Sequence, residues 1–146
     1  MNRRVRESAP EVQIPAKSQL ASIAKRYGLR LIVLFGSQAT GHVHPESDID
    51  VAVWATRALT PAERDRVWRK LSELLRSEVD LTVLNHAEPL LLRQVAHTGR
   101  LLYESRRWAW EDFKGFAFRY YLDTGKFRDD LARYLDREIP GPRHAG

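Results

Sequence analysis

The feature that most constrains this chain is a short apolar run, Leu29 to Phe35 (LRLIVLF), cut off by Gly36-Ser37 and followed, after ten intervening residues, by Asp48-Ile49-Asp50. A run this short and this rich in branched side chains reads as a buried strand, and a strand buried on both faces requires helices above and below it. Gly36 lets the backbone turn sharply and approach a neighbour closely just past the strand. Asp48 to Trp54 (DIDVAVW) predicts a second strand. There Asp48 and Asp50, two apart, share one face with Cα atoms roughly 6.6 Å apart, while Ile49 and Val51 face the core.

The surrounding pattern supplies the covering helices. Pro15 suits a first helical turn, and Leu20, Ile23, Ala24 and Tyr27 make one apolar stripe that Gly28 ends. Thr60-Pro61-Ala62-Glu63 has the form of a capping box with proline at the first helical position, and Val67, Leu71, Leu74 and Leu75 follow at helical spacing. Glu78 to Leu84 (EVDLTVL) alternates as a third strand. Asn85 is placed to cap a further helix reaching about His97, and Leu101 to Glu104 fits a short strand. From Arg107 to Glu138 the spacing is helical, with Gly125 expected to divide it in two. The order helix, strand, strand, helix, strand, then helices predicts an α/β fold with a small mixed sheet, covering helices and a C-terminal helical extension. Residues 1–14 read as a flexible basic arm, 15–105 as the core, and 106–146 as the helical extension of the same domain.

Asp80, flanked by Val79 and Leu81, repeats the in–out alternation of the Asp48–Asp50 strand. On neighbouring strands the three carboxylates converge, an arrangement that is costly unless cations neutralise it. Hard oxygen ligands suit Mg²⁺, which takes one or two carboxylates and fills its shell with water and phosphate. If Ser37 to Thr40 form a helical turn, its amides and the serine hydroxyl favour phosphate beside those acids. Singly, Gly-Ser reads as a turn, Asp-x-Asp as a solvated strand end and Asp80 as an exposed strand position. Together they describe a site for a metal-bound triphosphate.

Composition narrows the alternatives. The chain has no cysteine, which removes disulfides, thiolate zinc sites and cysteine nucleophiles and suits a cytoplasmic setting. No apolar stretch follows the basic opening residues, so a secretory signal is not expected, and no run is long enough for a membrane span. Seven of the 24 basic residues but only two of the 19 acidic ones fall within residues 1–30. The net charge of +5 is therefore an N-terminal feature and not a basic stripe across the domain, and no direct nucleic-acid role is expected. His42-x-His44 reads as plain loop, because no third nitrogen or sulfur ligand accompanies it. The aromatic cluster from Trp108 to Tyr121 is spaced for core packing or a partner interface, not for base stacking.

LFGSQATGHVHPESDIDVAVW resembles the signature of the minimal nucleotidyltransferases of the polymerase-β-like superfamily: Gly-Ser, ten residues, Asp-x-Asp. Gly36, Ser37, Asp48 and Asp50 match it, and Asp80 in EVDLTVL matches the family's third acid. The resemblance covers roughly residues 15–105, and Thr98 to Glu104 followed by an aromatic helix is similar to the antitoxins of HEPN/MNT toxin–antitoxin pairs. Many relatives read Gly-Ser-Arg-Ala-Arg-Gly, whereas Gln38 and Thr40 replace both arginines here, which removes any phosphate contact they would make.

The resemblance implies an Mg²⁺-dependent enzyme that moves AMP from ATP to a tyrosine hydroxyl of a HEPN-domain ribonuclease and silences it. Asp48 and Asp50 would hold two metal ions, Asp80 would ligate one and help deprotonate the hydroxyl, and Gly36 and Ser37 would hold the departing phosphates. Two alternatives stand beside this reading. One is transfer to a small molecule such as an aminoglycoside, against which the roughly 40 residues after the core argue, such enzymes usually carrying a larger substrate domain. The other is inhibition of the toxin by occlusion without turnover, against which the presence of all three acids argues.

Overall fold

The computed structural model describes residues 13–36 and 49–138. The first helix, α1 (Lys17–Tyr27), starts two residues after Pro15, which precedes the N-cap and does not lie in the first turn as expected. Ala16 is its N-cap, and the Ala16 amide donates to Gln19 Oε1 at 3.1 Å. Gly28 ends it in the left-handed region (φ 67°), and its amide donates to the Ala24 carbonyl. A β-carbon at Gly28 would lie 2.8 Å from Thr56 Oγ1, so this turn admits no side chain without displacement. The chain passes directly into β1 (Leu29–Phe35), as the apolar run predicts.

Strand β2 (Ile49–Ala55) leads to α2 (Pro61–Leu75), whose start is the expected capping box. The Glu63 amide donates to Thr60 Oγ1 and the Thr60 amide to Glu63 Oε1, both at 3.1 Å. Arg57 adds a two-pronged pair to the Glu63 carboxylate, at 2.8 and 2.6 Å. The Arg57 hydrogen bond, then the Thr60 amide, hold the Glu63 carboxyl down from an ordinary value of 4.5 to about 2. Strand β3 (Val79–Val83), α3 (Pro89–Thr98), β4 (Arg100–Glu104) and α4 (Ala109–Glu138) complete the order.

Two expectations are corrected. Asn85 lies in a short 3₁₀ turn (Leu84–His86) and does not cap α3, whose N-cap is Glu88. Its side chain instead pairs with Ala55 as a strand would: Oδ1 accepts from the Ala55 amide at 3.0 Å, and Nδ2 donates to the Ala55 carbonyl at 2.8 Å. Gly125 does not divide the last helix, which runs unbroken for 30 residues. A single glycine costs a helix only about 1 kcal/mol relative to alanine, too little to break one that long.

The four strands form one mixed sheet in the order β3-β2-β1-β4. β1 pairs antiparallel with both β2 and β4, whereas β2 and β3 are parallel and joined through α2. Strand alternation divides the core into two layers. Ile49, Val51, Val53, Val79 and Leu81 face α1 and α2, packing on Leu20, Ile23, Val67 and Leu71. Leu31, Val33, Phe35 and Ala52 face α3 and α4, packing on Leu92, Val95, Trp110, Phe113 and Ala117. The sheet is thus covered on both sides, as the near-continuous apolar run in β1 requires.

The β3 edge is closed from α2: Trp68 Nε1 donates to the Val79 carbonyl at 2.6 Å and Arg64 to the Leu81 carbonyl at 3.2 Å. Occupied carbonyls leave that edge a poor template for another strand. Among the described residues no helix is long and apolar enough to cross a membrane.

Candidate active site

The sheet brings Gly36, Asp50 and Asp80 together. Phe35, the last residue of β1, is the antiparallel partner of Asp50, and Asp50 is the parallel partner of Asp80. Adjacent strands lie about 4.8 Å apart, and residues in register on neighbouring strands project to the same face. The two carboxylates therefore sit side by side at one end of the sheet, on the face that also carries α3 and α4. The reason is the alternation read in the sequence: Ile49, Val51, Val79 and Leu81 are buried in the opposite layer. Asp50 is half-buried and Asp80 exposed, so the patch opens to solvent from the β3 side.

Gly36 completes the geometry. It has φ 73°, and a β-carbon there would lie 2.5 Å from Asp50 Oδ2. Only a residue without a side chain lets the end of β1 lie this close to the carboxylate. Ser37 and Asp48, the other two predicted site residues, lie outside the described residues, as do Gln38, Thr40, His42 and His44.

Among the described residues no group of three or more His, Cys, Asp or Glu side chains is placed to hold a metal. The pair that is described still fits a hard cation. Two carboxylates in register on adjacent strands repel one another, and the close backbone at Gly36 confines the Asp50 carboxylate on one side. Oxygen donors in such a pair suit Mg²⁺ and offer nothing to a softer metal. Sequence reading also missed the role of Asn85, which lies outside the site, at the opposite end of β2 from Asp50. Its polar side chain beyond the end of β3 looks like a helix cap, and only the sheet shows it bonded to the C-terminal residue of β2, on the strand that carries Asp50.

A mixed sheet covered on both faces, with a glycine turn at one strand end against carboxylates on the next two strands, is the architecture of an enzyme that transfers phosphate-linked groups. The family model described as "Polymerase beta, Nucleotidyltransferase" matches residues 18–107, and the chain belongs to that family. A curated relative is the protein adenylyltransferase MntA of Shewanella oneidensis, 40% identical over 79 residues, a match spanning 54% of this chain and 57% of that protein. Among solved structures, a toxin–antitoxin complex with AMP-PNP is 30% identical with a TM-score of 0.68, covering 82% of this chain and 97% of the other. A complex of tri-AMPylated Shewanella oneidensis HEPN toxin with its MNT antitoxin is 27% identical with a TM-score of 0.62, covering 82% and 94%.

Proposed function

We propose that this chain is a protein adenylyltransferase of the antitoxin kind, moving AMP from ATP to a tyrosine hydroxyl of a HEPN-domain ribonuclease and thereby neutralising it. The observation that carries the reading is the Asp50–Asp80 register pair against Gly36, the acidic half of a triphosphate site on a nucleotidyltransferase sheet. The relatives support the choice of substrates: one is named a protein adenylyltransferase, one was crystallised with AMP-PNP, and one is bound to a tri-AMPylated toxin.

In the reaction the tyrosine oxygen attacks the α-phosphorus of ATP, the bond to the β-phosphate oxygen breaks, and pyrophosphate leaves. Asp50 and Asp80, with Asp48, would hold Mg²⁺, which supplies charge neutralisation at the attacking and leaving oxygens. Asp80, the exposed member, is the group that an incoming hydroxyl reaches first and the acceptor for its proton. Gly36 keeps the space in front of Asp50 clear, and Ser37 next to it is assigned to the departing phosphates. The chain's contribution is positioning and electrostatics, with no covalent intermediate.

We divide the chain into a core over 15–105 that carries this chemistry and a helical extension from 106 onward that carries docking. Part of the aromatic segment from Trp108 to Tyr121 belongs to the core, since Trp110 and Phe113 are buried. The docking role falls to the exposed apolar side chains of α4, which include Phe118 and Tyr120 of that segment and Leu122, Leu131, Tyr134 and Leu135 beyond it. Large apolar anchors of this kind carry most of the energy of an interface.

Co-expression with a HEPN toxin encoded beside it, followed by intact-mass measurement, tests the reading. The expected result is a toxin heavier by one or more AMP units, and no increase with Asp50→Asn. A toxin that stays unmodified yet fully inhibited in a stable complex overturns transfer and leaves occlusion.

A further inference from the structure

The sheet face that carries Asp50 ends in a second cavity that the nucleotidyl-transfer site does not use. It has a volume of about 420 Å³, within the range of small-molecule sites, and its walls include Arg30, Trp54, Thr56, Ser105, Arg106 and Phe116. Trp54 lies four residues beyond Asp50 on β2, roughly 13 Å along the strand. Between them on the same face is Ala52, 0% exposed and packed in the α3/α4 layer, so the two sites are separated by filled core.

The walls are of two kinds. One is aromatic: Trp54 meets the ring of Phe113 edge-on at 5.1 Å and that of Phe116 at 5.8 Å, and Phe116 keeps 40% of its surface exposed. The other is polar, with two guanidinium groups and the hydroxyls of Thr56 and Ser105. Arg106 is neutralised by Asp112, which also lines the cavity, at 2.7 Å. Arg30 makes no ion pair among the described residues, which leaves one uncompensated positive charge at the rim.

Two backbone irregularities converge on this cavity. The β1–β2 pairing shifts register between Leu29 and Leu31, and both Arg30 and Leu31 line the cavity. Bulges of this kind re-aim a side chain. Between the lining residues Arg106 and Ala109, Trp108 has φ 71°, a conformation that a bulky residue adopts only under constraint. The turn is tied in place by bonds from the Ala109 amide to the Arg106 carbonyl at 3.2 Å and from the Trp110 amide to Glu104 Oε2 at 3.1 Å.

From the ring wall, the single free guanidinium and the hydroxyls, we infer that this cavity is a second binding site, for a flat aromatic ligand bearing one anionic group. The ring stacks or packs edge-on against Trp54 and Phe116, and Arg30 takes the anion in a charge-assisted hydrogen bond. A nucleotide and an aromatic carboxylate share this chemistry.

The test is a titration of the full chain with AMP, and separately with indole-3-carboxylate, in excess chelator, read by amide chemical shifts. Saturable shifts at Thr56, Ser105 and Phe116 are expected, unchanged by Asp50→Asn and weakened at least about tenfold by Arg30→Glu or Phe116→Ala. Adenosine and inorganic phosphate, each carrying half of the chemistry, bind more weakly than AMP. Saturation by AMP alone identifies a nucleotide site, and saturation by both probes a site for aromatic acids in general. The inference is overturned if neither probe gives saturable shifts there at millimolar concentration, if the shifts fall only at Gly36, Asp50 and Asp80, or if both variants bind as tightly as the parent.

Discussion

Gly36 and the carboxylate of Asp50 are so close that a methyl group on Gly36 would lie 2.5 Å from Oδ2. The contact joins the end of β1 to the start of β2 and leaves no room for a side chain between them. Gly36→Ala therefore meets two penalties, a left-handed backbone (φ 73°) and an overlap with Asp50. We expect a loss of at least about 1 kcal/mol in urea denaturation, together with reduced nucleotide transfer. Unchanged stability and unchanged transfer would show that the turn tolerates a side chain.

Asp50→Asn and Asp80→Asn separate chemistry from folding. Neither side chain is in the apolar core, and each substitution removes one of two like charges held in register. Circular dichroism should report an intact fold for both, with a melting temperature no lower than the parent's for Asp80→Asn. Transfer, measured by intact mass, should fall about 10²–10⁴-fold for Asp80→Asn, the usual range for losing a general base, and at least as much for Asp50→Asn, which loses a metal ligand.

Metal and nucleotide should stabilise together. Because a cation between the two carboxylates relieves their mutual repulsion, ATP with Mg²⁺ should raise the melting temperature, and chelator should abolish the shift. The Asp50→Asn variant should show little of it. An equal shift with ATP in excess chelator would place the nucleotide somewhere other than beside these acids.

The Arg57–Glu63 pair at the start of α2 sets an acid limb for stability. Because the Glu63 carboxyl lies below its ordinary value of 4.5, at about 2, the folded chain holds this group ionised where the unfolded chain protonates it. Its contribution is complete above about pH 4.5 and is lost as pH falls from there toward 2. Glu63→Gln should lower the melting temperature at neutral pH and flatten its decline over that window. Parallel melting curves for the two proteins between pH 5 and 3 would refute the assignment.

Asn85→Asp tests the paired hydrogen bonds that close β2. The change keeps size and the Oδ1 acceptor but replaces the Nδ2 donor with an oxygen facing the Ala55 carbonyl. A part-buried carbonyl left without its donor costs roughly 1–3 kcal/mol. Thermal denaturation at neutral pH should show that loss, and Asn85→Ser should show a smaller one.

The α/β class, β1 and the capping box of α2 are legible in the sequence because each rests on local rules. Branched apolar runs select strands, and Thr60 and Glu63 satisfy one another's amides within a single turn. The division of Asp50 and Asp80 from Val51 and Leu81 follows equally from the two-residue period of a strand. Local rules stop at the strand ends. That Asp50 and Asp80 stand in register depends on β2 and β3 being parallel neighbours, which the path of α2 decides. The tightness of Gly36 against Asp50 depends on β1 pairing with β2. Asn85 carries the same polar signal whether it caps a helix or mimics a strand, and only the nearby Ala55 peptide selects between them. Gly125 reads as a break by propensity alone, but one unfavourable residue cannot outweigh the continuous hydrogen bonding of a helix anchored through Trp110, Phe113 and Ala117. What the sequence determined by itself was set by interactions a few residues apart. What only the tertiary structure decided was which distant peptide or carboxylate each polar side chain meets, because those contacts join segments separated by some 15 to 30 positions.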